Sequence, residues 1–166
     1  MAERRCPEAF AAALAGAYRR VAATRMAGLP VLNPALAVEA VGFARRSGSA
    51  SLPADGGVFG VLLTPWCMNL VWAADEPAAA APVGQPRRYD WGEGRYLFLG
   101  ACEPDAGPFE QCSLYSPMDA FASQEDARAV ALAVLAQLRR CAEDEPEHYA
   151  RRGFFGRLGG RALAAR

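Results

Sequence analysis

No lysine occurs anywhere in the chain, and the single histidine is His148. All eighteen basic residues are therefore arginine, balanced by eighteen acidic residues to a formal net charge of zero. A nucleic-acid surface calls for a basic excess, and none is present. The missing lysine, alongside abundant alanine, points to a GC-rich coding sequence more than to a need for guanidinium chemistry. The five cysteines (Cys6, Cys67, Cys102, Cys112 and Cys141) are scattered, odd in number and without a C-x-x-C pair. That distribution argues against a standard zinc site, an iron–sulfur cluster or a disulfide scaffold, and fits a reducing cytoplasm. No run approaches the ~20 uninterrupted apolar residues of a membrane helix. Arg4-Arg5 ahead of an alanine-rich stretch resembles an export signal, but Glu8 interrupts at once and Tyr18-Arg19-Arg20 closes the run early. These absences lead to the expectation of a cytoplasmic protein with no cofactor, no metal, no nucleic-acid partner and no membrane insertion.

What is present suits one soluble domain. The 166 residues are 52% hydrophobic and 22% charged, enough to bury a core and too apolar for wholesale disorder. Phe10, Leu14, Ala17 and Val21 recur at helical spacing, so the N-terminal segment reads as an amphipathic helix. Alternation over residues 37–43 and the apolar run 58–63 read as strands, with a further short strand at 70–73. Residues 76–86 are proline-bounded and poor in large side chains, which predicts a mobile surface loop. Segments 88–91 and 95–99 flank Gly92-Glu93-Gly94 as a hairpin, and a turn through 104–108 leads to a strand over 109–115. Ser123, with Asp126 three residues on, caps a second helix whose apolar face is Ala127, Ala131, Val134 and Leu138, widened by Val130 and Leu135. The acidic run 143–147, with Pro146, is expected to end that helix. Strands joined by short turns pair antiparallel. The predicted architecture is an α+β single domain, mainly an antiparallel sheet flanked by an N-terminal and a C-terminal helix, over residues 1–150 with an Arg/Phe/Gly-rich tail over 151–166.

Two corners stand out. The strand ending at Leu63 stops at Thr64-Pro65, and Trp66, Cys67, Met68 and Asn69 follow immediately. Thr64 is placed to cap a helical turn, with Pro65 at its first position. Cys112-Ser113-Leu114-Tyr115-Ser116-Pro117-Met118 repeats the design, a strand end at a proline with a methionine just beyond. If both ends share one edge of the sheet, Trp66, Met68 and Met118 line one apolar patch able to anchor another chain. The competing reading buries all three in the core. Cys112 has no neighbouring His, Lys or Cys in sequence to lower its pKa, which favours an inert thiol. In the tail, Phe154 and Phe155 lie between glycines and arginines, so docking on the sheet would leave Arg151, Arg152 and Arg157 as a basic rim.

Read together, Thr64-Pro65-Trp66-Cys67-Met68-Asn69-Leu70, the Cys112–Met118 segment with Phe121, and Arg151-Arg152-Gly153-Phe154-Phe155-Gly156-Arg157 resemble, in this order, the motifs of the HybE-type NiFe-hydrogenase assembly chaperones. The resemblance covers roughly residues 10–157. Cys67 departs from it, standing where the family usually has a large apolar residue, and the rubredoxin fused to some relatives has no counterpart here. It implies a non-enzymatic cytoplasmic factor that binds NiFe uptake-hydrogenase precursor subunits before export, especially the small subunit with its twin-arginine signal peptide. Partner-binding residues under that reading are Thr64, Pro65, Trp66, Met68, Asn69, Ser113, Ser116, Pro117, Met118, Arg151, Arg152 and Arg157. Two other classes remain open: an apolar-ligand carrier with a closed pocket near Trp66 and Met118, and a thiol-dependent redox protein using Cys112.

Overall fold

A computed structural model of the chain describes residues 4–46, 56–91 and 94–156, without side chains for Trp91 and for 142–156. Helix α1 (Pro7–Ala23) opens on a proline, whose missing N–H has no role in the first turn, with Glu8 near its positive end and Arg20 near its negative end. Six strands follow: β1 (Glu39–Arg46), β2 (Gly57–Leu63), β3 (Met68–Ala74), β4 (Pro86–Trp91), β5 (Gly94–Glu103) and β6 (Gly107–Tyr115). Helix α2 (Gln124–Gly156) closes the chain. The strands form one sheet in the order β1-β2-β3-β6-β5-β4, every neighbouring pair antiparallel. This is the α+β architecture expected from the sequence.

The two helices lie on opposite faces of the sheet. Phe10 and Leu14 of α1 pack with Val58 and Leu62 of β2, Val71 and Ala73 of β3, and Phe109 of β6. Ala127, Ala131, Leu135 and Leu138 of α2 pack with the alternate residues of the same strands, Phe59, Val61, Leu63, Met68, Leu70 and Trp72. Successive side chains point to opposite faces, so β2 and β3 are buried throughout. Leu135, not Val134, takes the fully buried place on α2, and Val134 packs beside it half-buried. Gly42 marks a bulge in β1, with φ +62° and a register shift between Val41 and Ala44. A side chain there would meet Leu135 Cδ1 at 2.6 Å, so the bulge lets α2 approach closely.

Three local expectations change. The 76–86 segment is pinned, not loose. It forms a 3-10 turn at Pro77–Ala79, and the Gly84 N–H donates to Gly100 O. A Cβ on Gly100 would lie 2.1 Å from Pro82 O, so glycine permits the loop to lie directly on β5. Thr64-Pro65-Trp66-Cys67 is a hairpin turn and begins no helix, because the Thr64 N–H donates to Cys67 O and the chain returns at once as β3. Helix α2 also does not stop at the acidic run: it begins at the Ser123 cap, whose Oγ accepts the Asp126 N–H at 3.1 Å, and continues to Gly156. Pro146 costs the helix one hydrogen bond and crowds the carbonyl four residues before it, and the alanine and glutamate on either side, good helix formers, carry the helix past it. Phe154 and Phe155 fall in the last turn of this helix, and their expected docking rests on side chains that are not described.

Candidate functional site: the Trp66 edge of the sheet

Strands β2 and β6 end on the same edge of the sheet, because both run antiparallel to the β3 that separates them. Met68 at the start of β3 pairs with Tyr115 at the end of β6, so the two proline corners sit side by side. Asn33, in the segment between α1 and β1, joins them. Its backbone N–H donates to Pro65 O at 2.9 Å. Its Nδ2 donates to Met118 O at 3.0 Å and to Phe121 O at 2.8 Å.

Within the first corner, the Thr64 hydroxyl is fully buried and saturated. Oγ1 accepts the Cys67 N–H at 2.9 Å and the Trp66 N–H at 3.3 Å, and donates to Cys67 O at 2.9 Å. Those bonds hold Pro65-Trp66 as the two tip residues. The half-buried Trp66 ring stacks on Tyr18 of α1, with centroids 6.4 Å apart and planes 18° from parallel. The Tyr18 hydroxyl and Asn69 Nδ2 converge on Gln111 Oε1, at 3.2 and 3.0 Å. Burial, reinforced by the Glu103 carboxylate, pushes the Tyr18 hydroxyl up to about 12. Burial also raises the Cys67 thiol, against opposing hydrogen bonds from Thr64 and Asn69.

The expected apolar patch does not form. Met68 and Met118 are fully buried on the α2 face of the sheet, whereas Trp66 lies with Tyr18 of the helix on the other face. The methionines are core contacts with Leu36, Phe121 and α2, which also fills the region where a carrier would need a pocket. Thr64 and Asn69 are buried too, so their part in the edge is to shape it. Pro65 is half-buried, and Ser113, Ser116 and Pro117 are exposed. Tyr115, 40% exposed, packs edge-on against Phe121 at 5.1 Å. Arg151, Arg152 and Arg157 have no described side chains. Cys112 is half-buried, and burial raises its thiol, the opposite of what a thiolate nucleophile needs. Among the described residues no group of three His, Cys, Asp or Glu is placed to hold a metal, and no helix is long and apolar enough to cross a membrane.

Sequence reasoning missed three contributors: Tyr18, Asn33 and Gln111. Tyr18 reads along the chain as the end of an alanine run, and Asn33 as loop between prolines. A buried polar cluster was also missed. Glu110 of β6, without solvent contact, accepts the Ala81 N–H at 2.8 Å, Arg87 Nη1 at 2.9 Å and the Tyr89 hydroxyl at 2.8 Å. This cluster ties the 76–86 segment and β4 to the sheet. Burial pushes Tyr89 up to about 12, against the lowering effect of Arg87.

Comparison with known proteins points the same way as the motifs. The family model described as NiFe-hydrogenase assembly, chaperone, HybE matches residues 9–157. Protein HoxT of Cupriavidus necator is 44% identical over 155 residues, 85% of this chain and 85% of that protein. The hydrogenase expression/formation protein HupT of Azotobacter chroococcum is 42% identical, covering 87% of this chain and 93% of its own. The hydrogenase expression/formation protein HoxT of Azotobacter vinelandii is 40% identical over 79% of this chain and 81% of its own. No solved structure matches. The chain belongs to the HybE family of NiFe-hydrogenase assembly chaperones.

Proposed function

We propose that this hydrogenase-maturation chaperone holds precursor subunits of a NiFe hydrogenase in the cytoplasm, above all the small subunit with its twin-arginine signal peptide, and that it does so without catalysing a reaction. A precursor in its grip is withheld from export until its metal clusters and partner subunit are in place. The observation that supports this reading is Trp66 at the tip of a hydrogen-bonded two-residue turn, stacked on Tyr18 beside the exposed Tyr115-Ser116-Pro117 corner. A rigid, half-exposed aromatic has little side-chain freedom left to lose when it meets a partner, which is the property of an interface anchor. Ser113, Ser116 and Pro117 supply the polar rim, and Thr64 and Asn69 hold the anchor from beneath. Arg151, Arg152 and Arg157 extend the same reading as a basic rim for acidic patches on the precursor.

The test is Trp66→Ala against purified small-subunit precursor. Affinity should fall at least about 30-fold, corresponding to ~2 kcal/mol for an anchor residue. The lost stack with Tyr18 should cost the fold itself only ~1 kcal/mol. Unchanged affinity in the variant would sink the proposal, as would loss of affinity only in proportion to unfolding.

A further inference from the structure

Strand β4 is the last strand of the sheet, and among the described residues no strand pairs with its outer edge. Its sequence from Pro86 is Pro-Arg-Arg-Tyr-Asp-Trp. The Gly100 N–H donates to Gln85 O at 3.0 Å, so the Gln85 carbonyl faces β5, while its N–H turns to Pro82 O at 2.9 Å. Alternation along the strand then turns the backbone groups of Arg87 and Tyr89 inward, and those of Pro86, Arg88 and Asp90 outward. The proline falls where an edge strand tolerates it, because its missing N–H would have pointed away from the sheet. Arg88 and Asp90 thus present an unpaired N–H and C=O each, on a strand that runs straight in register with β5 from Pro86 to Trp91.

The side chains of the same two residues carry opposite charges. Both are exposed. Arg88 has no ion-pair partner among the described residues, and Asp90 reaches only Arg95, at 3.5 Å with both side chains largely in water. Arg88 and Asp90 project from the face of the sheet that carries α1, here uncovered: their cross-strand partners are Leu97 and Arg95, and Leu97 is 50% exposed.

We infer that β4 is the contact by which two copies of this chain join, antiparallel about a two-fold axis through Tyr89, in a continuous twelve-stranded sheet. With that axis, Arg88 of each copy stands opposite Asp90 of the other. Both residues point their backbone groups outward, so each such pair exchanges two backbone hydrogen bonds, four in all. Each pair also sets a guanidinium across from a carboxylate on one face, the arrangement that stabilises cross-strand pairing. Shifting the axis by one residue, to Arg88, opposes the two arginines to each other and brings Asp90 against Pro86, which has no N–H to give. The charges therefore select one register and favour a second copy over an arbitrary extended segment.

The experiment uses the full chain and measures mass by sedimentation across a concentration series. The wild type should form dimers. R88D and D90R each oppose like charges across the axis twice and should weaken dimerisation at least tenfold. Mixed together, the two variants should pair with one another, and the double variant R88D/D90R should recover self-association, which a merely misfolded variant does not do. Hydrogen exchange at the amides of residues 88 and 90 should slow with concentration in the wild type and in the double variant, and in neither single variant alone. A wild type that stays monomeric throughout overturns the inference, and so does a dimer indifferent to both single variants. Protection of those amides that appears only on adding hydrogenase precursor would likewise overturn it, assigning the edge to a partner strand.

Discussion

Strands β2 and β3 and strands β4 and β5 belong to one antiparallel sheet, yet the two pairs live in different surroundings. In the first pair every residue is buried, because α1 covers one face and α2 the other. In β5 alternate residues reach water: Phe98 and Gly100 are buried, and Leu97 and Leu99 are 50% and 45% exposed. Coverage by helices explains the difference, since α1 packs mainly on β1 and β2, reaches β5 only at Ala101, and leaves that face of β4 and of β5 from Arg95 to Leu99 open. The central pair consequently reads as a continuous apolar run, a pattern more usual in parallel sheets with helices on both faces. The outer pair is held differently, by the Glu110 cluster on the α2 side and by little on the other. Stability is concentrated in the doubly covered half. The proposed contact surfaces lie at its Trp66 edge and along the open β4 border.

The sharpest way to break this comparison is a matched pair of truncations. Leu70→Ala in β3 should destabilise the fold by about 2–5 kcal/mol, because Leu70 is fully buried in the core between the sheet and α2 and its loss leaves a cavity there. Leu97→Ala in β5 should change stability by less than about 0.5 kcal/mol. Denaturant titration of both variants decides it, and equal losses would mean that the open face is covered.

Next in size is Tyr89→Phe. It removes the donor to Glu110 Oε2 in a site without solvent, at an expected cost of about 1–3 kcal/mol. The alkaline limb carries the second reading. Tyr89 and Tyr18 are each pushed from 10.0 up to about 12, so folding favours their neutral forms. That stabilisation is complete below pH 10 and disappears as pH rises towards 12. Thermal melts of the wild type should fall steeply across that window, and Tyr89→Phe should flatten the fall, leaving the part due to Tyr18 and to the other groups that burial raises, Tyr96, Cys67 and Cys112.

The smallest effect sharpens the account of the edge. Asn33→Ala removes three side-chain hydrogen bonds, the two from Nδ2 to the second corner and the local one that Oδ1 accepts from the Ala35 N–H, but spares the backbone bond to Pro65. A loss of about 1 kcal/mol or somewhat more is expected in melting experiments. Amide exchange should quicken around Met118 and Phe121 and stay unchanged in β2. Uniform quickening would mean that Asn33 supports the whole core and not the seam between the corners.

Much of this was legible along the chain. The helical spacing of Phe10 and Leu14 and the Ser123–Asp126 capping box led to helices where the structure has them. So did the strand runs before Thr64-Pro65 and Ser116-Pro117, since punctuation by proline and a cap acts over a few residues. Thr64 was recognised as a capping residue, but the path it caps was misjudged. One Oγ1 accepting an amide three residues on serves a helical turn and a hairpin tip alike, and the pairing of Leu63 with Met68 selects the hairpin.

The sequence by itself determined the first helix, the start of the second, the strand runs, the positions of the two corners and, through its motifs, membership of a hydrogenase-assembly chaperone family. Those signals are local or combine by simple order along the chain. Only the tertiary structure decided which corner residues meet solvent. Met68 and Trp66 are two residues apart, yet the first faces α2 in the core and the second stacks on Tyr18 of α1. That outcome depends on turn geometry and on which helix covers which face. Likewise, Glu110 gains its partners from positions 21 to 29 residues away. Burial and pairing of this kind are properties of packing at a distance, and local sequence carries no record of them.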